Sequence, residues 1–589
     1  MKKNKKKWFR GDLLPLILMV AIQPLISIGC KVAVCLENYS WFPNGEFQYD
    51  FFMYGKSIAF LVLVFWMLVM LTDRLVIRGK KFHHWKYFIP LYVYAILVAL
   101  SAILSVDKTL SLKGMWQQYE SVWVLLGYIV TVFYSAQVIE NQEDIKVLLH
   151  ALLCGAAFQG LIGLSQIVGK DFFAGELGRT LMTLGLGSYV KDSLRFLYAG
   201  SGNSAVYMAA YTPNYAGFYL VLVLPTVFLF AVKERNRIRK AAEIIFCVIL
   251  AICLYGSESK AGILVCCIIV MIAGIMYCTK RMKGKQKWFC TGICLILICS
   301  GIKVYDMAQK NALSESIKSV TEKQKYDLES IDLGETGITL CYKGHSLDLI
   351  PQMTEWGQTL QGIEDGKTML IANWDNATES FRFENTIYSE LLFDTYEQAE
   401  TQYITLDYSD INWIFYKEDY ANKYVFFNQY QKADDIKTAP TILKGYERIF
   451  SNRGYIWGRT IPLLKKYILW GSGPDTFTVE FPQTDYVMKA NTDLGMYQQL
   501  PTKAHNMYLQ TALQTGIVSL ICMLAFWGQY LVIWIRNSRN GKDGWIRLSI
   551  LFASVAFGLM GFLNDSNLVV SPIFWCLLGA GYAIELKEY

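Results

Sequence analysis

Long apolar runs separated by short polar loops dominate this chain. Runs close to the ~20 residues that a helix needs to cross a bilayer recur along it. We place twelve of them, at 12–35, 52–72, 87–105, 121–139, 147–168, 214–232, 241–256, 260–278, 287–304, 507–535, 547–563 and 567–585. Polar residues around Ser257 interrupt the 241–278 stretch, which predicts a tight turn between two helices. One kinked, buried helix is the alternative there.

A different pattern occupies 305–450. Polar residues increase, and short alternating runs such as GITLCY (337–342) and YITLDY (403–408) are separated by Gly, Asp and Asn. This alternation is typical of strands. The sequence therefore predicts an all-α polytopic membrane protein with an inserted extracytoplasmic β-rich domain. The predicted regions are 1–304 with about nine transmembrane helices, 305–450 as the insertion, 451–506 as an extracytoplasmic loop, and 507–589 with about three helices.

Composition and charge placement support this interpretation. The chain is 53% hydrophobic and only 18% charged, and its mean hydropathy is +0.28, which excludes a disordered chain and an ordinary cytosolic enzyme. The formal net charge of +7 resides in alternate short loops, for example MKKNKKKWFR at the N-terminus and KERNRIRK at 233–240. By the positive-inside rule, both termini are cytoplasmic and the protein lies in the cytoplasmic (inner) membrane. The basic charge is then a topology signal and not a nucleic-acid surface.

The N-terminal basic stretch and its apolar run could be mistaken for a signal peptide. The run is too long and lacks a small-residue cleavage site. We therefore predict that it is retained as the first span.

Candidate chemistry is concentrated at the predicted outer face. His505 lies in PTKAHNMYLQ, where the chain re-enters the membrane, and a His at such a position can act as a general base. An interfacial helix cap is the alternative for it. Lys260, Arg453, Arg459 and Arg195 are outer-face cations of the kind that suits a pyrophosphate. Headgroup contact or a local salt bridge is the alternative for each cation. No Asp-rich motif indicates a metal site, and no cofactor is expected.

Several motifs occur in an order that resembles a known family. QYES (118–121) is similar to an Arg-Tyr-Glu-Gly element through Glu120, and TPNYAG (212–217) matches a Pro-Asn-x-x-Gly helix start through Asn214. GSESKAG (256–262) has Lys260 where the family has Arg. NRGYIWGRTIPLLKKYILWGSGPDTF (452–477) and AHNMYLQTALQTGI (504–517) complete the series. Over roughly 105–280 and 450–585, the chain resembles the O-antigen ligase and Wzy-type O-antigen polymerase family of bacterial membrane glycan transferases.

This resemblance implies a GT-C-like, metal-independent glycosyltransferase of polysaccharide biosynthesis in the cell envelope. The donor would be an undecaprenyl-pyrophosphate-linked glycan, and the acceptor a glycan, a lipid or a wall polymer. Arg453 and Lys260 would hold the pyrophosphate, and Arg459 is the alternative to Lys260 in that role. His505 would act as the base on the acceptor hydroxyl or would help to position it. Substrate-binding roles are expected for four further residues: Glu120, Asn214, Arg195 and Asn506. The choice between ligase and polymerase stays open.

Two other classes of function compete with a transferase. A lipid-linked oligosaccharide flippase would need charged residues along a central membrane-spanning cavity. A sensor would use the β-rich insertion to bind carbohydrate and would leave Lys260, Arg453 and His505 unrelated in space. Convergence of these three side chains on one cavity is therefore the discriminating observation.

Overall fold

The structure is a computed structural model of the chain of 589 residues. It describes residues 10–43, 45, 47–194, 205–281, single positions between 286 and 320, 322–355, 357–418, 422–492, 494–496, 500–539 and 544–587. Within these residues, long apolar helices share one extended core, and a separate pair of β-sheets forms a second core.

The helices follow the predicted apolar runs closely in most of the chain. They are α1 (Leu14–Ala21), α2 (Met53–Thr72), α3 (Ile89–Ile103), α4 (Lys108–Lys113), α5 (Val122–Val138), α6 (Gln142–Ile167), α7 (Glu176–Met182), α8 (Ser188–Ser193), α9 (Pro213–Lys233), α10 (Arg237–Gly256), α11 (Lys260–Arg281), α12 (Ile449–Leu463), α13 (Phe477–Glu480), α14 (Tyr486–Asn491), α15 (Met507–Thr515), α16 (Ile517–Arg539), α17 (Trp545–Met560) and α18 (Ser571–Lys587). A π-helical turn, Asp73–Ile77, extends α2.

Fewer helices than predicted have the length and hydropathy of a membrane span. Six helices of the described chain meet both criteria, and three shorter apolar helices accompany them. The expectation of about twelve spans is therefore not confirmed. The predicted run 287–304 lies outside the described residues, apart from single positions.

Two predicted spans are broken into separate elements. The run 12–35 is not one helix, because α1 ends shortly before Pro24 and the chain continues as an extended strand from Cys30. Proline cannot continue a helix since it lacks the N–H and clashes with the preceding turn. The run 507–535 divides into α15 and α16 at Gly516, whose φ of 100° is available chiefly to glycine. The predicted turn between α10 and α11 is confirmed.

The strands build one small hairpin and two larger antiparallel sheets. They are β1 (Cys30–Ala33), β2 (Phe47–Asp50), β3 (Leu328–Leu333), β4 (Ile338–Tyr342), β5 (His345–Thr354), β6 (Gly357–Glu364), β7 (Thr368–Ile371), β8 (Asn373–Asp375), β9 (Ser380–Arg382), β10 (Leu392–Gln398), β11 (Thr401–Tyr408), β12 (Ile411–Glu418), β13 (Lys423–Phe427) and β14 (Ala433–Asp434). β3 to β7 form a five-stranded meander in chain order, and β8 to β14 form a seven-stranded one.

The two larger sheets pack face to face as a sandwich. Alternate residues of β11, Ile404 and Leu406, are buried, and so are Trp413 and Phe415 of β12. They share a core with Leu340 and other apolar residues of the five-stranded sheet. Because side chains alternate across a strand, one apolar face is enough to join the sheets.

Hydrogen bonds attach this sandwich to the helical part. The Lys432 ammonium donates to the carbonyl oxygens of Glu37, Tyr39 and Phe42, at 3.1 to 3.4 Å. The Asn428 amide donates to the Ser40 carbonyl at 3.0 Å. The loop before β2 therefore holds the sandwich against the same region as the first helices.

Replacing Trp413, which is only 1% exposed, tests the sandwich core. Trp413→Ala should destabilise the sandwich by about 3–5 kcal/mol, because it removes the largest buried side chain and leaves a cavity. Faster proteolysis of the 328–434 region in the purified protein would show it. Trp374→Ala is the matched control, since Trp374 is 48% exposed, and its digestion rate should stay close to that of the wild type. Equal rates for both variants would contradict the described core.

Candidate active site at the helix ends

Several segments distant in sequence meet where helices begin. The Gln118 amide, just before α5, donates to the Thr502 carbonyl at 2.9 Å, and the Met507 N–H at the start of α15 donates to the Gly561 carbonyl at 2.8 Å. These bonds bring the segments before α5, α15 and α18 together. We refer to the six polar residues that gather there as the His505 cluster: His505, Asp565, Arg453, Lys503, Tyr215 and Glu120.

A buried carboxylate orients the ring of His505. The Asp565 Oδ2 lies 2.9 Å from the His505 Nδ1, and the Asp565 side chain is 1% exposed, whereas that of His505 is 48% exposed. An ionised carboxylate only accepts hydrogen bonds, so the Nδ1 must carry the proton and the Nε2 keeps its lone pair. The exposed histidine therefore presents a basic nitrogen in a defined tautomer.

Two cations and a histidine keep Asp565 ionised despite its burial. Burial by itself would raise the pKa of Asp565, but the interaction and hydrogen bond with His505 and the charges of Lys503 and Arg453 lower it below its usual value. The net direction is downward. Asp565 is thus a stable anion between two permanent cations and the histidine.

Arg453 is fixed to the loop that carries Asp565. Its Nη2 donates to the Leu563 carbonyl at 2.9 Å, and its Nη1 donates to the Phe450 carbonyl at 2.8 Å. The Nε of Arg453 is buried and has no hydrogen-bond partner among the described residues. A buried donor without a partner costs free energy. A guanidinium has five N–H groups, and the two carbonyls accept from one N–H each on Nη1 and Nη2, so these two nitrogens of the partly exposed Arg453 each retain a further N–H for a ligand.

The chain in front of Arg453 adopts a strained path. Phe450, Ser451 and Asn452 have φ values of 50°, 58° and 66°, all in the left-handed region. Non-glycine residues there cost roughly 1–3 kcal/mol each and are often found at functional sites. This path places the Phe450 carbonyl where it accepts from Arg453.

Lys503 is the buried cation of the His505 cluster. Its Nζ donates to the Tyr215 hydroxyl at 2.5 Å and lies 5.1 Å from the centroid of that ring. Burial would lower the pKa of Lys503, but Tyr215, Asp565 and Glu120 raise it, and the net direction is upward. Lys503 therefore stays positively charged over the physiological range.

Glu120 completes the His505 cluster through two hydroxyl groups. Its Oε1 accepts from the Tyr128 hydroxyl at 2.7 Å and from the Ser566 hydroxyl at 2.6 Å. Burial raises the pKa of Glu120, while Lys503 and the two hydroxyl groups lower it, and the net direction is upward. Since Ser566 adjoins Asp565, Glu120 links the start of α5 to the loop before α18.

The remaining predicted site residues lie in different surroundings. Lys260 is the exposed first residue of α11. Its turn packs on the start of α9, because a Cβ added to Gly217 would lie 2.4 Å from the Ser259 Cβ. No ion pair joins Lys260 to Asp565 or Glu120 in the described part of the chain. The structure thus brings His505 and Arg453 together, and places Lys260 on a turn beside the helix that carries Tyr215.

The Arg459 side chain is buried and interacts with two carboxylates and an aromatic ring. Its Nε pairs with Asp485, its Nη1 lies 4.0 Å from the Glu447 Oε1, and its Cζ lies 4.1 Å over the Tyr455 ring. The side chain is 1% exposed. The structure therefore does not bring Arg459 to the His505 cluster.

The two asparagines and Arg195 complete the predicted set. Asn506 caps α15, since its Oδ1 accepts from the N–H groups of Tyr508 and Leu509, each at 3.0 Å. Asn214 is exposed in the first turn of α9. Arg195 lies outside the described residues.

Sequence reasoning missed Lys503, Tyr215 and Asp565. Lys503 stands two positions before His505, and in extended chain residues two apart share a face, which is the signal that was available. Asp565 is the acidic residue of the short NDSN loop, where no cation accompanies it in sequence. Tyr215 gave no signal, because a tyrosine at the start of an apolar helix is ordinary.

Comparison with known proteins supports the resemblance noted in the sequence. A sequence model described as O-antigen ligase matches residues 416–524, a segment that includes Arg453, Lys503 and His505. The chain is therefore similar to O-antigen ligases over less than a fifth of its length. No curated protein matches the chain. Together with the apolar helices, this similarity supports a multi-pass membrane protein with a glycan ligase- or polymerase-like role.

Breaking the internal pair of Arg459 should destabilise the matched segment 416–524. Arg459→Met leaves Asp485 buried without its partner, and removing one member of a buried pair costs about 3–5 kcal/mol. A lower Tm of the purified protein checks this. Arg459→Met combined with Asp485→Leu should recover part of the loss, whereas Lys465→Met, at an exposed cation of the same segment, should change little. A Tm loss no larger for Arg459→Met than for Lys465→Met would contradict the pairing.

Asp475, beside Glu120, should make stability depend on pH. Burial raises the pKa of Asp475 from its ordinary 3.8 to about 7, and the charge of Glu120 acts in the same direction. The hydrogen bond that Asp475 accepts from the Met115 N–H at 2.9 Å lowers this pKa but does not outweigh the two other causes. The fold therefore binds the proton more tightly than the unfolded chain, and stability falls as pH rises from about 4 to 7. The variant Asp475→Asn should lack this pH-dependent contribution to stability, because an amide does not titrate.

The difference in Tm between the wild type and Asp475→Asn, measured at pH 5 and at pH 8, shows whether Asp475 makes stability fall as pH rises. The wild type should lose stability relative to the variant at the higher pH. Asp375→Asn is the control, because hydrogen bonds from the Ala377 N–H and the Thr378 hydroxyl lower the pKa of Asp375, so this carboxyl stays ionised from pH 5 to pH 8. A pH-independent difference for Asp475→Asn would contradict the assignment.

Proposed function

We propose that this protein transfers or polymerises glycan from an undecaprenyl-pyrophosphate-linked donor on the outer face of the cytoplasmic membrane. The observation that carries the proposal is the 2.9 Å contact between His505 and Asp565, beside the Arg453 guanidinium. The O-antigen ligase domain supports the general class of reaction. Arg453 and His505, two of the three side chains whose convergence would favour a transferase over a flippase or a sensor, meet at the 563–565 loop, whereas Lys260 makes no hydrogen bond or ion pair with either among the described residues.

In the proposed reaction, an acceptor hydroxyl approaches the exposed Nε2 of His505. This nitrogen takes the hydroxyl proton while the oxygen attacks the anomeric carbon of the donor. The bond between that carbon and the pyrophosphate oxygen breaks, and undecaprenyl pyrophosphate leaves with the electron pair. The proton on His505 is then released to solvent. Asp565 stabilises the imidazolium and maintains the reactive tautomer.

Positive charge near the leaving group favours bond cleavage. Arg453 is preorganised by two backbone carbonyls and keeps further N–H groups on Nη1 and Nη2, so it suits one phosphate. Lys260, exposed at the first residue of α11, is proposed to contact the other phosphate together with that helix N-terminus. Lys503 acts through Asp565 and Tyr215, because it is buried. Independence from metal ions remains part of this proposal.

Substitutions at His505 and Asp565 test the mechanism. His505→Ala and Asp565→Asn should each lower the rate of donor consumption by about 10²–10⁴-fold, because the base or its tautomer is lost. The measurement follows disappearance of lipid-linked glycan in membranes that contain equal amounts of each variant. Thermal unfolding of the same preparations shows whether the variants are folded.

The chain offers its own matched control. His345 and Asp365 form the same Nδ1–Oδ2 contact at 2.9 Å, but both side chains are 50% exposed in the β-sandwich. His345→Ala and Asp365→Asn should leave donor consumption unchanged. Unchanged turnover in folded His505→Ala would exclude His505 as the base.

A further inference from the structure

A second polar site lies at the opposite end of the helical bundle from the His505 cluster. It is a cavity of about 530 Å³. Its basic lining residues, which we call the basic cavity residues, are Arg74, Lys80, Lys81, His83, His84 and Lys587. A volume in the range of about 300–1,000 Å³ is typical of small-ligand sites.

Two helices establish the separation between the sites. α5 begins next to Glu120 of the His505 cluster and ends at Val138, beside the cavity residue Gln137. α18 begins at Ser571, close to Asp565, and ends at Lys587. Each helix has 17 residues, which corresponds to about 25 Å at 1.5 Å per residue. The cavity is therefore a site distinct from the proposed reaction centre.

Positive charge in the cavity exceeds the negative charge available to neutralise it. Glu140 is the carboxylate in its lining, and it is shared between Arg74 at 3.8 Å and Arg10 at 3.0 Å. Within the described residues, no carboxylate lies within ion-pair distance of Lys80 or Lys81. Burial lowers the pKa of His84, and the neighbouring His83 and Lys587 lower it further. The cavity therefore attracts an anion.

The loop that carries these cations is held in place. The Gln137 side chain bonds both backbone groups of His83, accepting from its N–H at 2.9 Å and donating to its carbonyl at 3.0 Å. His84 follows in the left-handed conformation with φ of 53°. The Lys587 ammonium donates to the Ile139 carbonyl at 2.8 Å. A fixed loop loses less conformational entropy on binding than a free one.

The floor of the cavity is apolar. Phe88 and Tyr582 lie there with ring centroids 5.5 Å apart, and Ala583 and Leu586 extend the apolar surface along α18. A small inorganic anion would leave this surface uncovered. A phosphate attached to a glycerol and acyl chains would cover it while its charge meets the cations.

We propose that this cavity binds the phosphate headgroup of an anionic phospholipid. The chemistry it recognises is a phosphate group, and the apolar floor favours the lipid over free phosphate as its source. Basic pockets between membrane helices are suited to such headgroups. The proposal does not depend on the glycan-transfer function.

Lipid-dependent stabilisation of the purified full-length protein tests this proposal. Delipidated protein in neutral detergent is titrated with short-chain phosphatidylglycerol, with short-chain phosphatidylcholine, and separately with inorganic phosphate, while Tm is followed. We expect phosphatidylglycerol to raise Tm and phosphatidylcholine to raise it much less. The shift should shrink as salt is increased, because screening weakens the attraction.

Charge-removing variants locate the binding. Lys80→Gln with Lys81→Gln should weaken the apparent affinity for phosphatidylglycerol roughly 10- to 30-fold, since each cation near an anionic lipid contributes about 1 kcal/mol. The matched control is Arg78→Gln with Lys86→Gln, which removes the same charge from the same loop outside the cavity lining. The affinity of this control variant for phosphatidylglycerol should stay within about threefold of that of the wild type.

Three outcomes would overturn the proposal. One is the absence of any Tm shift with phosphatidylglycerol in the wild-type protein. Another is an equal loss of affinity in the two double variants, which would indicate general surface charge. A third is a shift with inorganic phosphate as large as that with phosphatidylglycerol at equal concentration, which would identify free phosphate as the ligand.

Discussion

The site depends above all on one buried, ionised carboxylate, that of Asp565. A carboxylate removed from water is expensive unless charge and hydrogen bonds compensate for it. Here His505, Lys503 and Arg453 provide that compensation, and they come from two segments of the chain, both distant in sequence from the loop before α18. Asp565 in turn orients His505 through a hydrogen bond, while Lys503 is held by Tyr215 and Arg453 by the carbonyls of Phe450 and Leu563. Loss of this anion would remove the hydrogen bond that orients the base and the charge that balances the two cations.

Helix starts surround this anion. α5, α9, α15 and α18 begin next to residues of the His505 cluster, and α11 begins at Lys260 beside α9. The first turns of helices carry unpaired N–H groups and partial positive charge. Such a concentration favours anions such as a pyrophosphate, in agreement with the proposed donor. The opposite ends of α5 and α18 reach the basic cavity residues, and there the partial negative charge of the helix C-termini lies beside cations such as Lys587.

The main elements could be predicted from periodicity, and the contacts between them could not. Alternation at 403–408 predicted β11, and the apolar run 214–232 predicted α9, because burial on one face or all around leaves a local pattern. The run 12–35 was misjudged, since hydropathy does not register that Pro24 ends the helix. Arg453 and Arg459 look equivalent in sequence, yet Arg453 is partly exposed and bonded to two backbone carbonyls, whereas Arg459 is 1% exposed and enclosed by Asp485 and Tyr455.

The sequence by itself determined the membrane character, the β-rich insertion, and the candidacy of His505 and Arg453, because local hydropathy, alternation and short motifs are properties of neighbouring residues. Only the tertiary structure decided that Asp565 orients His505, since the two residues are 60 positions apart. The same holds for Lys503 with Tyr215, which are 288 positions apart. Such pairs form where packing brings helix ends together, and no local pattern records which ends will meet.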